Sequence, residues 1–231
     1  MYQESKEFAY LIGVYLGDGS TTIKLDKKFG NKYRFQLGSI DKDFVDYVSY
    51  LLNIFGYHTT RWEKRYNSQK WNDMYYLNVC SKELVLYLRK ITRNKKVIPK
   101  WIFKRKDWKI EFVNGLLDSE GWVGKAKVND TACGYKYSVG INTTSNYVYK
   151  VVDILKEYGV LVSKEYSPKL KKGKHTHWFQ FNLVSFIESP FKFRIERKVR
   201  RLKEYQKTKI KRDSKYYSEL GKRGAKARWS K

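Results

Sequence analysis

Residues 8–16, FAYLIGVYL, are apolar without a break and lead into Gly17, Asp18 and Gly19. A run apolar on every side predicts a buried helix over about 8–18, too short to span a membrane. The period then changes to two. Tyr33, Phe35 and Leu37 alternate with Arg34, Gln36 and Gly38, which predicts a strand with one face on the core and one in solvent. Strands are expected at roughly 19–25 and 32–39. A helical period follows over 44–55, stopped by Gly56 as a C′ glycine. Two further strands near 57–65 and 74–80, and a helix at about 81–91, complete the unit.

The same pattern then recurs. LIGVYLGDG (11–19) is matched by VNGLLDSEG (113–121), so that Gly13, Asp18 and Gly19 correspond to Gly115, Glu120 and Gly121 at an offset of 102 residues. YRFQLG (33–38) matches YKYSVG (135–140) at that offset, and FVDYVSYLLNIFGY (44–57) matches YVYKVVDILKEYGV (147–160) one residue later. YLNVCS (76–81) loosely matches FQFNLVS (179–185), with Asn78 opposite Asn182. The second copy is expected to carry a helix over 111–120, strands at 122–128 and 135–142, a helix over 147–158 and strands at 160–166 and 177–183. The fold class is α+β: two αββαββα repeats related by a pseudo-two-fold axis, their antiparallel sheets forming a saddle. The expected divisions are 1–94, a linker at 95–109 containing Pro99, 110–195, and a basic tail at 196–231.

Gly13 and Gly17 lie four apart, as do Gly115 and Ser119. Small residues at that spacing let two helix backbones approach closely. If the two helices pack side by side, Asp18 and Glu120 become neighbours at their C-terminal ends. Each carboxylate then faces the negative end of a helix dipole and a like charge, and a hard divalent cation such as Mg²⁺ offsets both. Metal held there suits phosphodiester hydrolysis, and two related acidic groups serve two strands. Asp118 points elsewhere on the helix and reads as structural.

The net charge of +26 adds a partner to this picture. Solubility needs far less, so the excess points to a polyanion. No basic leader or cleavage site opens the chain, which predicts a protein of an intracellular, DNA-containing compartment with no membrane partner. Cys80 and Cys133 lack metal-ligand spacing and read as reduced and structural. His175 and His177 are open to a metal but read better as a loop and strand start.

LIGVYLGDG and VNGLLDSEG resemble the two signature motifs of the LAGLIDADG homing endonucleases, and IPKWIFKRKDWKIEFVNGLLDSEGWV resembles the stretch leading through the second. SKEL (81–84) is also similar to the family. The resemblance covers about residues 1–190. It implies a single-chain, monomeric, intron-encoded enzyme that makes a double-strand break in a long DNA site. The family's splicing blocks are absent, so a free-standing enzyme is expected. Asp18 and Glu120 then bind metal, Mg²⁺ with Mn²⁺ as a substitute and Ca²⁺ supporting binding with little cleavage. Backbone carbonyls of Gly17 and Ser119 assist. Lys82 would organise active-site water, against the plainer reading of a solvated lysine at a helix start. DNA-facing residues would be Ser20, Thr22, Lys24, Arg34, Gln36, Tyr76 and Asn78 in the first copy. Those of the second would be Lys136, Ser138, Trp178 and Gln180, with Lys125 and Lys127 if Gly124 forms a bulge.

Residues 192–231 hold seventeen Lys or Arg and four acidic residues. This segment reads as an arm gripping phosphates, through Arg200, Arg201, Lys222 and Arg223 among others, or else as a solvated terminal helix. Two other functions remain open on the same fold: a maturase binding intron RNA, and a DNA-binding regulator without catalysis.

Overall fold

The computed structural model describes residues 4–25, 30–66, 72–128, 135–168 and 176–208. Lys222, Arg223, Cys133 and His175 lie outside them.

The first repeat runs α1 (Lys6–Leu16), β1 (Ser20–Lys24), β2 (Lys32–Ser39), α2 (Lys42–Ile54), β3 (Thr60–Lys64), β4 (Met74–Cys80) and α3 (Lys82–Ile91). A 3₁₀ turn, Lys100–Lys104, leads into the second: α4 (Lys106–Glu120), β5 (Gly121–Lys127), β6 (Tyr135–Thr143), α5 (Val148–Glu157), β7 (Val162–Tyr166), β8 (His177–Phe181) and α6 (Leu183–Glu188). A last helix, α7, covers 196–208. The expected linker is therefore partly structured, and α4 starts earlier than the motif alone suggests.

Local chemistry sets the boundaries. Ser5 caps α1 by accepting from the Phe8 amide at 3.1 Å, and Ser81 caps α3 by accepting from the Leu84 amide at 3.1 Å. Gly56 and Gly159 end α2 and α5 in the left-handed region, at φ 81° and 83°. Each sheet is antiparallel and four-stranded, in the order β1-β2-β4-β3 and β5-β6-β8-β7. Phe35, Leu37, Leu77 and Val79 of the first sheet, and Val123, Val139, Ile141, Phe179 and Phe181 of the second, face the buried core.

Between the sheets, α1 and α4 pack backbone to backbone. A Cβ on Gly13 would fall inside the Phe112 carbonyl oxygen, and one on Gly115 inside that of Tyr10. No side chain fits at either position, which is the reason for glycine there. Residues 8–16 are all buried, as a helix with neighbours on every side requires.

The second repeat closes, as the αββαββα order expects, with the short α6, capped by Asn182, whose side chain accepts from the Ser185 amide at 3.0 Å. One expectation is corrected. Residues 196–208 are no free arm. Val199, Leu202 and Tyr205 pack on the core, and Arg201 donates to the Val123 carbonyl at 2.6 Å. Arg89 of α3 donates likewise to the Thr21 carbonyl at 3.3 Å, and Thr21 and Val123 are equivalent at the repeat offset. Thus α7 covers the second sheet as α3 covers the first. Arg197 also reaches the first repeat, making two 2.8 Å hydrogen bonds to the Asp41 carboxylate.

Candidate active site and nucleic-acid interface

Because α1 and α4 touch along their length, their C-terminal ends emerge together. Asp18 follows the C-cap Gly17, and Glu120 is the last residue of α4. The Glu120 side chain lies against Gly17, where an added Cβ would sit 3.1 Å from its Cγ. The Cβ of Ser119 lies closer still to the same point, as the small-residue spacing anticipated. Partial burial and the Asp18 charge push the Glu120 carboxyl up to about 7, against the opposing pull of Lys95 and Lys198. Asp18 is exposed at its surface, yet enough protein surrounds its carboxyl to raise its pKa as well, again opposed by Lys198 and Lys95.

Those two lysines escaped the sequence reading. The Lys95 ammonium donates to the carbonyls of Gly17 at 2.6 Å and Gly19 at 3.0 Å. The Lys198 ammonium donates to those of Leu117 at 3.0 Å and Asp118 at 2.6 Å. Each thus neutralises the negative end of one motif helix. Lys95 is presented by three consecutive left-handed residues, Arg93, Asn94 and Lys95, at φ 47°, 54° and 66°. Such a run is costly without glycine, and buried Thr92 holds it. The Thr92 hydroxyl donates to the Leu88 carbonyl at 2.7 Å and accepts from the Lys95 amide at 3.1 Å. Lys198 is buried, which pushes its ammonium down to about 8 despite nearby Asp118.

Lys82 lies elsewhere. It is exposed at the start of α3, its ammonium 5.9 Å from the ring centre of Tyr33, near the outer end of β2. Lys95 stands in the place proposed for it. Asp118 is structural, as expected: it is buried, accepts from the Tyr10 hydroxyl at 2.8 Å, and accepts from the Arg194 amide at 2.9 Å.

Do these residues fit a divalent metal? Two carboxylates with raised pKa values at the negative ends of two helices call for a cation. Among the described residues no third Asp, Glu, His or Cys joins them. The remaining coordination positions would fall to water, a carbonyl and a phosphate, the pattern by which Mg²⁺ is held on phosphate substrates. The Gly17 carbonyl already accepts from Lys95, so any metal would share it. Asp18 opens on a cleft of about 280 Å³ that Ser39, Asp41, Ser119, Arg197 and Lys198 also bound; Glu120 does not line it. The two halves are not identical: the Tyr147 hydroxyl donates to the Leu16 carbonyl at 2.8 Å, whereas Phe44 occupies the matching place in the first repeat.

The outer sheet faces flank this centre. Ladder pairing puts Ser20, Thr22, Lys24, Arg34, Gln36, Tyr76 and Asn78 on one outward face, as expected. In the second sheet Lys136, Ser138, Trp178 and Gln180 face outward. Lys125 and Lys127 do not. The register of β5 shifts by two residues, since Ser20 opposes Gln36 but Gly124 opposes Ser138. An even shift preserves the face and needs no bulge. Trp122, Gly124 and Ala126 therefore point outward, while Lys125 turns to the helix side and pairs with Glu204 at 2.8 Å. Arg201 is likewise committed inward, and Arg200 is exposed. Cys80 is exposed on the outward row of Arg34, not buried. His177 is buried at the start of β8, bonded to Asn146, Tyr149 and Ser167.

Comparison with known proteins places this geometry. The family described as LAGLIDADG-like domain matches residues 5–92. Uncharacterized protein MJ0398 of Methanocaldococcus jannaschii is 35% identical over 126 residues, 54% of this chain and 42% of that protein. Uncharacterized protein MJ0314 of the same organism is 28% identical over 160 residues, 65% of this chain and 48% of that protein. The chain thus spans about half the length of the curated relatives it matches. Among solved structures, I-DmoI in complex with DNA and Mn has 17% identity and a TM-score of 0.53, covering 80% of this chain and 95% of that one. The meganuclease I-SmaMI bound to uncleavable DNA has 12% identity and a TM-score of 0.56, covering 98% and 96%. At these identities the likeness is one of fold.

Proposed function

We propose that this chain, a LAGLIDADG protein by its first repeat and by the fold of both, is a site-specific DNA endonuclease that cuts both strands of a duplex. The observation that carries the reading is the meeting of Asp18 and Glu120 at the joined ends of α1 and α4, from which the first strand of each sheet departs. Two half-saddles in one chain suit one duplex, so the active species is a monomer. I-DmoI is solved with DNA and Mn and with DNA and Ca, which supports divalent metal at the equivalent place.

Asp18 and Glu120 would hold the metal, Mg²⁺ by preference. Bound there, it would polarise a phosphate and activate water. The chain's own residues do the rest. Lys95 and Lys198 keep positive charge beside the acidic pair where a phosphate arrives, and their bonds to fixed carbonyls orient them before substrate enters. Arg34, Gln36, Asn78 and Gln180 present donors and acceptors to base edges. Lys24 and Lys136 neutralise backbone phosphate.

The direct test incubates the full chain with a randomised duplex library in Mg²⁺ and sequences the new ends. Paired ends at one long sequence are expected. No cutting in either Mg²⁺ or Mn²⁺ would leave the binding readings, RNA maturase or regulator, in its place.

A further inference from the structure

Each half-saddle carries a stacked aromatic pair on its outward face, but at a different place: Trp62 of β3 lies on Tyr76 of β4 in the first, centroids 5.2 Å apart and planes at 9°, whereas the pair of the second reaches β5, the strand that leaves Glu120. In the first, the outward row nearest the acidic pair that β1 joins holds Ser20, Gln36, Asn78 and Thr60, all hydrogen-bonding side chains. In the second, the shifted register of β5 adds a row still closer to Glu120, and that row begins with Trp122. Its indole reaches across β6 and stacks on Trp178 of β8, centroids 5.4 Å apart and planes at 14°. The strand between them supplies Gly140, the one residue over which two rings can meet: a Cβ there would lie 2.6 Å from Trp122 Cζ2. The Trp122 Nε1 is buried without a hydrogen-bond partner among the described residues, so this ring offers no donor to a base. Tyr166, opposite Trp178, is 64% exposed and extends the apolar surface outward. Lys136, Lys164 and Gln180 share the same face.

An apolar platform framed by lysines and set in a groove-reading face has one natural contact on DNA. The major-groove edge of thymine carries a methyl group, and apolar side chains distinguish it there. We propose that the Trp122–Trp178 pair reads thymine methyl groups in the base pairs flanking the cut, in the half-site covered by the second sheet. In the first half-site the strand that leaves Asp18, β1, offers Ser20 and Thr22 instead, and its stacked pair stands farther out on β4 and β3. This rests on the nuclease reading above.

The test begins with the full chain selecting its site from a randomised duplex pool in Ca²⁺. Each thymine of that site is then replaced by deoxyuridine, which keeps every hydrogen bond and removes only the methyl. Binding weaker by roughly fourfold per methyl is expected, the effect of one buried methyl group. The loss should fall at a few positions beside the cut in one half-site, and Trp178→Ser should erase it while Trp178→Phe retains it. Equal binding of uracil and thymine throughout both halves overturns the proposal without touching the nuclease reading. A pool that yields no sequence overturns both. The uridine scan uses the unaltered chain, so its outcome does not depend on a variant's folding.

Discussion

Lys95 and Lys198, 103 positions apart, do the same thing: each ammonium binds two main-chain carbonyls at the end of one motif helix. They come from different surroundings, a left-handed turn after α3 and the first turn of α7. The equivalence is therefore one of place and charge, imposed by the two negative helix ends that each repeat must neutralise.

That equivalence predicts matched losses. Lys95→Met or Lys198→Met should slow cleavage by roughly a hundredfold, the usual effect of removing one electrostatic stabiliser from a site of this kind. Site binding in Ca²⁺ should hold. Strand-resolved gels are the check, and each variant should accumulate nicked duplex with a different strand intact. Each change leaves two carbonyls unpaired, and Lys198→Met should lower the melting temperature the more, because its side chain is the more deeply buried. Unchanged cleavage in both variants would remove the lysines from the chemistry.

Glu120 predicts the pH behaviour. Its folded pKa of about 7 stands above the ordinary 4.5, so the fold favours the protonated acid. The stability this contributes is complete below about pH 4.5 and is lost as pH rises through 7. In metal-free buffer Glu120→Gln should be more stable than the parent above neutrality, by about 2 kcal/mol after allowing for partial solvent screening. The difference should vanish toward pH 4.5. Divalent metal needs the ionised form, so its affinity should climb through pH 7 with release of a proton. Denaturant melts across pH, with and without Mg²⁺, decide this.

The C-terminal region carries a further prediction. Removing 209–231 takes away nine Lys or Arg and two acidic residues. The salt dependence of DNA binding should flatten. If five of those charges meet phosphate, the slope falls by roughly four to five. Truncation at 195 removes Lys198, Arg201, Leu202 and Tyr205 as well, and should abolish cooperative unfolding. A stable, cooperative product ending at 195 would contradict the role given to α7.

Much of this was legible in the sequence because it rests on periodicity. The alternation from Tyr33 to Gly38 gives a strand and its two faces, and Gly13 with Gly115 gives the helix pair and hence the acidic centre. Parity was harder. A strand shifted by one residue or by two looks similar in a short alternating stretch, and only the pairing of Gly124 with Ser138 sends Lys125 inward. Lys95 was hidden because non-glycine residues carry no sign of three successive left-handed conformations. Lys198 was hidden among many lysines and arginines whose count suggested a phosphate-binding arm. The faint signal was its distance from Lys95, close to the offset of the motifs themselves.

The acidic pair is the centre of the account, and it is tested by Asp18→Asn and Glu120→Gln on the selected duplex. Each change removes a charge and almost no volume, so both variants should fold and should bind the site in Ca²⁺ with the parent's affinity. In Mg²⁺ neither should release double-strand product. Full cleavage by either variant would contradict the account.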